Sequence, residues 1–228
     1  MHTQHTLDKA AAKIALAALV AVFAALAALM AGDHAHAATA HHATTPPLSR
    51  KALAFHDQMR KLWEDHITWT RLAIVDLEAN APDTKQTVAR LLANQTDIGN
   101  AVKPYYGAAA GTHLTTLLEQ HITEAAAIVE DAMAGRSQKL KTDVTAWYAN
   151  ADAIARFLAT ANPKAWPYGA VDRMMHVHLQ LTTKEAIDHL KRHYAADIRD
   201  YDALHREILM MADALSNGII TQFAARFS

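Results

Sequence analysis

The sequence predicts an all-α fold, an antiparallel bundle of about six helices built from three helical-hairpin repeats of roughly 55 residues. Three observations predict it. Apolar residues recur at helical spacing, and no useful stretch alternates with the period of a strand. Breaks rich in Pro, Gly, Asn and Asp divide the chain into long segments joined by short loops, which favours antiparallel neighbours. A histidine-centred motif then returns at a nearly constant interval.

From the N-terminus, Lys9 and Lys13 precede the uncharged run Ile14 to Met30, and small residues follow up to Ala35-His36-Ala37. This is the pattern of a secretory signal peptide over 1–37, with a mature chain starting at Ala38. An uncleaved N-terminal anchor is the alternative, since 17 apolar residues sit at the short edge of a bilayer span. The expected location is therefore periplasmic or extracellular. Residues 38–49, with His41-His42 and Pro46-Pro47, read as a flexible lead-in, and His41-His42 as a recruiter of divalent metal or a solvated tail.

The bundle domain spans 50–228. Its helices are expected at about 50–79, 83–106, 108–134, 138–161, 168–193 and 195–226. The breaks are Asn80 to Asp83, Tyr106-Gly107, Ala134 to Ser137, Asn162 to Pro167, and a weak one near Ala195. That last boundary also reads as a kink within one helix. Tyr105-Tyr106 and Trp166 to Tyr168 set aromatics beside Pro and Gly at one end of the bundle, as loop anchors or as the lining of a ligand mouth.

Cysteine is absent, so thiolate catalysis and Cys-ligated zinc are excluded, and stability must come from packing. A formal charge of −1 without a basic run argues against nucleic acid, or a membrane beyond the signal segment, as partner. Histidine is abundant, at 15 residues.

The repeat is clearest at Leu62-Trp-Glu-Asp-His66-Ile-Thr, Leu117-Leu-Glu-Gln-His121-Ile-Thr and Met174-Met-His-Val-His178-Leu. The even-numbered helices echo each other through Asn94 with Asp97, Asn150, and more loosely His205. His66, His121, His178 and His205 each fall on an apolar stripe stepping by three and four residues. An imidazole there costs free energy unless paired. Taken singly, each reads as structural, bonded to Thr, Asn or a carboxylate on a neighbouring helix. Converging, three imidazoles are the usual protein share of an open zinc or copper site.

The expected ligands are His66, His121 and His178, with His205, Glu124 and Met175 as further members and Glu207 as another nearby acid. Copper leads because thioether and imidazole suit it; zinc follows. Glu185, His189 and His193, at i, i+4 and i+8, form a weaker pattern.

No Glu-x-x-His pair of di-iron type, His-Glu-x-x-His, Gly-x-Ser-x-Gly, phosphate-binding glycine loop or Cys-x-x-Cys-His occurs, so nucleotide and covalent haem have no support. The chain reads as a non-enzymatic metal-binding protein. The alternative is a structural or interaction module of the cell envelope, with a hydrogen-bonded histidine layer and an envelope protein as partner. A metal-assisted hydrolase using the same cluster is a third reading.

The stretches Leu62-Trp-Glu-Asp-His-Ile-Thr-Trp-Thr-Arg71, Asn94-Gln-Thr-Asp-Ile-Gly-Asn100 running into Lys103-Pro-Tyr-Tyr-Gly107, Trp147-Tyr-Ala-Asn-Ala-Asp152 and Ala212-Asp-Ala-Leu-Ser-Asn-Gly-Ile219 resemble a poorly characterised family of exported bacterial helical-bundle proteins. The resemblance covers nearly the whole mature chain. It implies a helical bundle and export, and no activity.

Overall fold

The computed structural model describes residues 48–228; the expected signal peptide over 1–37 and His41-His42 lie outside the described residues. Six helices follow in order: α1 Arg50–Ala79, α2 Thr84–Tyr106, α3 Ala108–Ala134, α4 Ser137–Ala161, α5 Tyr168–Leu190 and α6 Tyr194–Gln222, with a 3₁₀ turn at Ala224–Arg226. Among the described residues there is no strand, and no helix is long and apolar enough to cross a membrane.

Local chemistry sets the boundaries. The Ser49 hydroxyl accepts the Ala52 N–H and caps the start of α1. Helix α1 ends on Asn80 in the left-handed region at φ 51°, and α3 on Gly135 at φ 73°, conformations these residue types tolerate. Between α5 and α6 the chain turns through Arg192 at φ 61°. Helices α5 and α6 are therefore separate, and the boundary lies a few residues before Ala195. The turn is legible only weakly because an arginine, rather than Gly or Asn, takes the left-handed position.

Each helix packs on its sequence neighbours, and α6 closes the ring against α1. Helix α1 also touches α3 and α5. The core is layered along the bundle axis. At one end Phe55, Tyr105 and Phe227 pack together, with Tyr105 and Phe227 stacked at 5.3 Å. Trp166 donates its indole N–H to Ala214 O at 3.1 Å and lies so close to Gly218 that a β-carbon there would stand 2.3 Å from the ring nitrogen. These aromatics anchor loops and plug the end. Trp166 is buried and hydrogen-bonded to α6, so it anchors its loop, while Tyr105 and Tyr106 are half-buried and Tyr168 is exposed. Next inward, Met59, Trp63, Met175 and Met211 fill an apolar layer. The histidines lie beyond it.

Candidate functional site: a buried imidazole layer

His66 on α1, His121 on α3 and His178 on α5 are 3 %, 3 % and 4 % exposed. Each ring reaches one oxygen on the following helix through Nδ1. The partners are Gln95 Oε1 at 3.2 Å, Asn150 Oδ1 at 2.9 Å and Glu207 Oε2 at 3.1 Å. In all three pairs the partner lies 29 residues after the histidine.

The surrounding network fixes the tautomers. The Asn150 amide nitrogen donates to Leu117 O at 3.0 Å, so its oxygen must face His121. The Gln95 amide nitrogen donates to Leu91 O and to Asn94 Oδ1, so its oxygen faces His66. An oxygen acceptor requires a ring donor, which places the proton of His66 and His121 on Nδ1 and the lone pair on Nε2. The Glu207 carboxylate imposes the same arrangement on His178. No Nε2 of the three carries a hydrogen bond among the described residues.

The rings are neighbours. His178 lies 5.8 Å from His66 and 6.4 Å from His121, centre to centre. Burial holds His66 well below the usual imidazole range, reinforced by His178 and then His121. Burial likewise lowers His121 to about 3, with His178 adding to the effect and Asn150 opposing it. Both rings are therefore neutral, the form that ligates metal. Trp63 packs edge-on to His66 at 5.6 Å, and Trp147 lies 5.2 Å from His121.

Three nitrogens ~2.0 Å from one ion would hold the ring centres about 5.5 Å apart. The two measured separations exceed this by less than about 1 Å. The three donor atoms do not already lie within 4.8 Å of one another. Among the described residues, only Asp152, Asp172 and His176 gather three donors that closely. That cluster sits half-buried on the outside of α4 and α5, with His176 Nε2 at 2.8 Å from Asp152 Oδ1.

Other expected members lie elsewhere. His205 is half-buried at the surface, 2.7 Å from Glu64 through Nε2. The inner face of α6 there runs through Asp200, Leu204, Glu207 and Met211, so His205 falls at the edge of the stripe while Glu207 faces the layer. Glu124 is half-buried and accepts from Gln120 on its own helix, and no hydrogen bond joins it to any of the three rings among the described residues. Met175 is buried one turn before His178, in the apolar layer with Met59 and Met211. Asp97 is exposed, so it forms no pair with Asn94 in the core.

Glu185, His189 and His193 do not converge either. Arg71 is held firmly protonated, first by a bond to Asp197. It bridges Glu185 at 2.5 Å and Asp197 at 2.7 Å, and His189 reaches Asp197 at 3.0 Å. His193 instead pairs with Asp188. Burial raises Glu185 to about 7 and the neighbouring Glu78 to about 8.

Gln95 escaped the sequence reading, which aligned Asn94 with Asn150. In the first hairpin two residues share what Asn150 does alone. Asn94 donates to Leu62 O, while Gln95 accepts from the histidine. The common 29-residue offset from each histidine was the available signal. No family model, curated protein or solved structure matches the chain.

Proposed function

We propose that this protein binds one transition-metal ion through His66, His121 and His178, copper first and zinc second, as an exported helical bundle of the cell envelope. The observation that carries this reading is the half-satisfied state of the layer. Each imidazole is oriented at Nδ1 by an oxygen of the next helix, the outer-shell pattern of metal-bound histidine. Here the three Nε2 lone pairs have no hydrogen-bond partner, on rings that burial keeps neutral or that a carboxylate orients. Glu207 supplies the acid of the set, as an acceptor behind His178. Export remains part of the proposal on the strength of the N-terminal pattern and the family resemblance.

Two tryptophans beside the rings give a direct readout. Copper(II) added to metal-free protein should quench their fluorescence with a sharp end point at one ion per chain. His121→Gln and His178→Gln, folded by circular dichroism, should lose that end point. Equal quenching in the wild type and both variants would reject the site.

A further inference from the structure

We infer that the end of the bundle where α1 stops against the α5–α6 turn is a proton-held latch, closed while Glu78 is neutral and released when Glu78 ionises. The latch needs none of the three core imidazoles and no metal.

Three carboxyls meet there inside the protein: Glu78 on α1, Glu185 on α5 and Asp197 on α6. Glu185 and Asp197 are each 1 % exposed, and the Glu78 side chain is 8 % exposed. Facing them are one guanidinium, Arg71 on α1, and one imidazole, His189 on α5. Beyond these, Lys184 pairs with Asp200 and His193 with Asp188. No hydrogen bond or ion pair joins Glu78 to α2 or α3 among the described residues. Even with His189 charged, three carboxylates would exceed their counter-charges by one, at a cost that burial magnifies. The bonds show which carboxyl is left over. Asp197 accepts two bonds from Arg71 and pairs with His189, and Glu185 accepts one from Arg71. Glu78 has none: His189 Nε2 stands 3.8 Å from its Oε2, and its Oε1 is buried without a partner. It also lies in the last turn of α1, where the helix carbonyls repel an anion. A proton on Glu78 removes the excess charge. Burial, and then Asp197 and Glu185, accordingly hold it up to about 8.

The turn has little else to hold it. Arg192 takes a left-handed φ of 61°, a strained conformation that persists only where surrounding contacts enforce it. Residues 192–195 are exposed, so few buried contacts resist opening. Arg71, reaching from α1 to Glu185 and Asp197, is the tie. An ionised Glu78 repels both of those carboxylates and competes for Arg71. Parting the last turn of α1 from the α5–α6 turn gives it water instead. Between the ordinary carboxylate range and about 8, the closed form holds a proton that the open form lacks. Opening therefore rises about tenfold for each pH unit across that window and levels off above it.

Amide exchange of the full-length protein, corrected for the intrinsic pH dependence of exchange, reads the latch at residues 187–197. Protection there should fall about tenfold per pH unit from about pH 6 to about pH 8, through a local opening that dilute urea leaves unchanged. Glu78→Gln, neutral at every pH, should hold that protection flat. Three results overturn the latch: no fall in the wild type, the same fall in Glu78→Gln (as an opening driven by His189 would give), or a urea-dependent loss that marks global unfolding. Carbon-13 NMR of the wild-type carboxyls tests it without a variant. A glutamate should titrate near pH 8 in step with the amides of the turn, and glutamates that all titrate in the ordinary carboxylate range overturn it.

Discussion

Replacing Asn150 with alanine tests whether the histidine layer is held as the geometry indicates. Asn150 is 4 % exposed and makes two buried bonds, donating to Leu117 O at 3.0 Å and accepting from His121 Nδ1 at 2.9 Å. Its removal leaves the His121 ring N–H unpaired in the core and takes the second of two bonds from the Leu117 carbonyl, which keeps its helical partner. The buried orphan costs about 1–3 kcal/mol and the lost second bond about 0.5–1.5 kcal/mol. The expected loss is about 1–4 kcal/mol, read as a lower midpoint with unchanged slope in urea unfolding. The same change frees the His121 ring, and losing such an outer-shell partner weakens metal binding by about 10- to 100-fold. Copper competition titrations on folded protein measure that separately. A variant within about 0.5 kcal/mol of wild type would refute the buried network, and unchanged copper affinity in a destabilised variant would refute its role in orienting a ligand.

Acid should destabilise the fold through His121. Its folded value near 3 lies below its ordinary 6.5, so its contribution is complete above 6.5 and is lost as pH falls toward 3. The full effect is of order 4 kcal/mol, and urea midpoints between pH 7 and 4 should fall accordingly. Glu78 and Glu185 act in the opposite sense. Raised to about 8 and about 7, they lose their contribution as pH climbs from the carboxylate range through those values. Glu78→Gln should therefore flatten the alkaline side of the stability profile, and an unchanged slope would contradict the assignment. At the contact of α2 and α3, a β-carbon on Gly99 would stand 2.7 Å from Gly111 O, so Gly99→Ala should cost about 1–3 kcal/mol by overpacking. His205→Ala removes only a surface pair with Glu64 and should shift stability by no more than about 1 kcal/mol, leaving metal uptake intact.

The bundle was readable because its signals are local. Period, caps and breaks placed four of the five boundaries between helices within a residue or two, and the fifth blurred where Arg192 turns the chain without glycine. His66, His121 and His178 were readable from the interval between them. His205 was not placed correctly, since a stripe of three- and four-residue steps fixes a helix face only to about one residue's width, and the core chose Leu204 and Glu207. Gln95 was hidden for a different reason. Its role depends on a long side chain reaching across to α1, where the shorter Asn150 serves the second hairpin from the equivalent offset.

The most direct test of the metal site is elemental analysis of full-length protein, produced with its own N-terminal segment and purified without a polyhistidine tag or chelator. The account predicts about one copper or zinc per chain, lost in folded His121→Gln and retained in His205→Ala. Metal-free protein that copper and zinc leave unchanged in stability, or metal retained by His121→Gln, would contradict it.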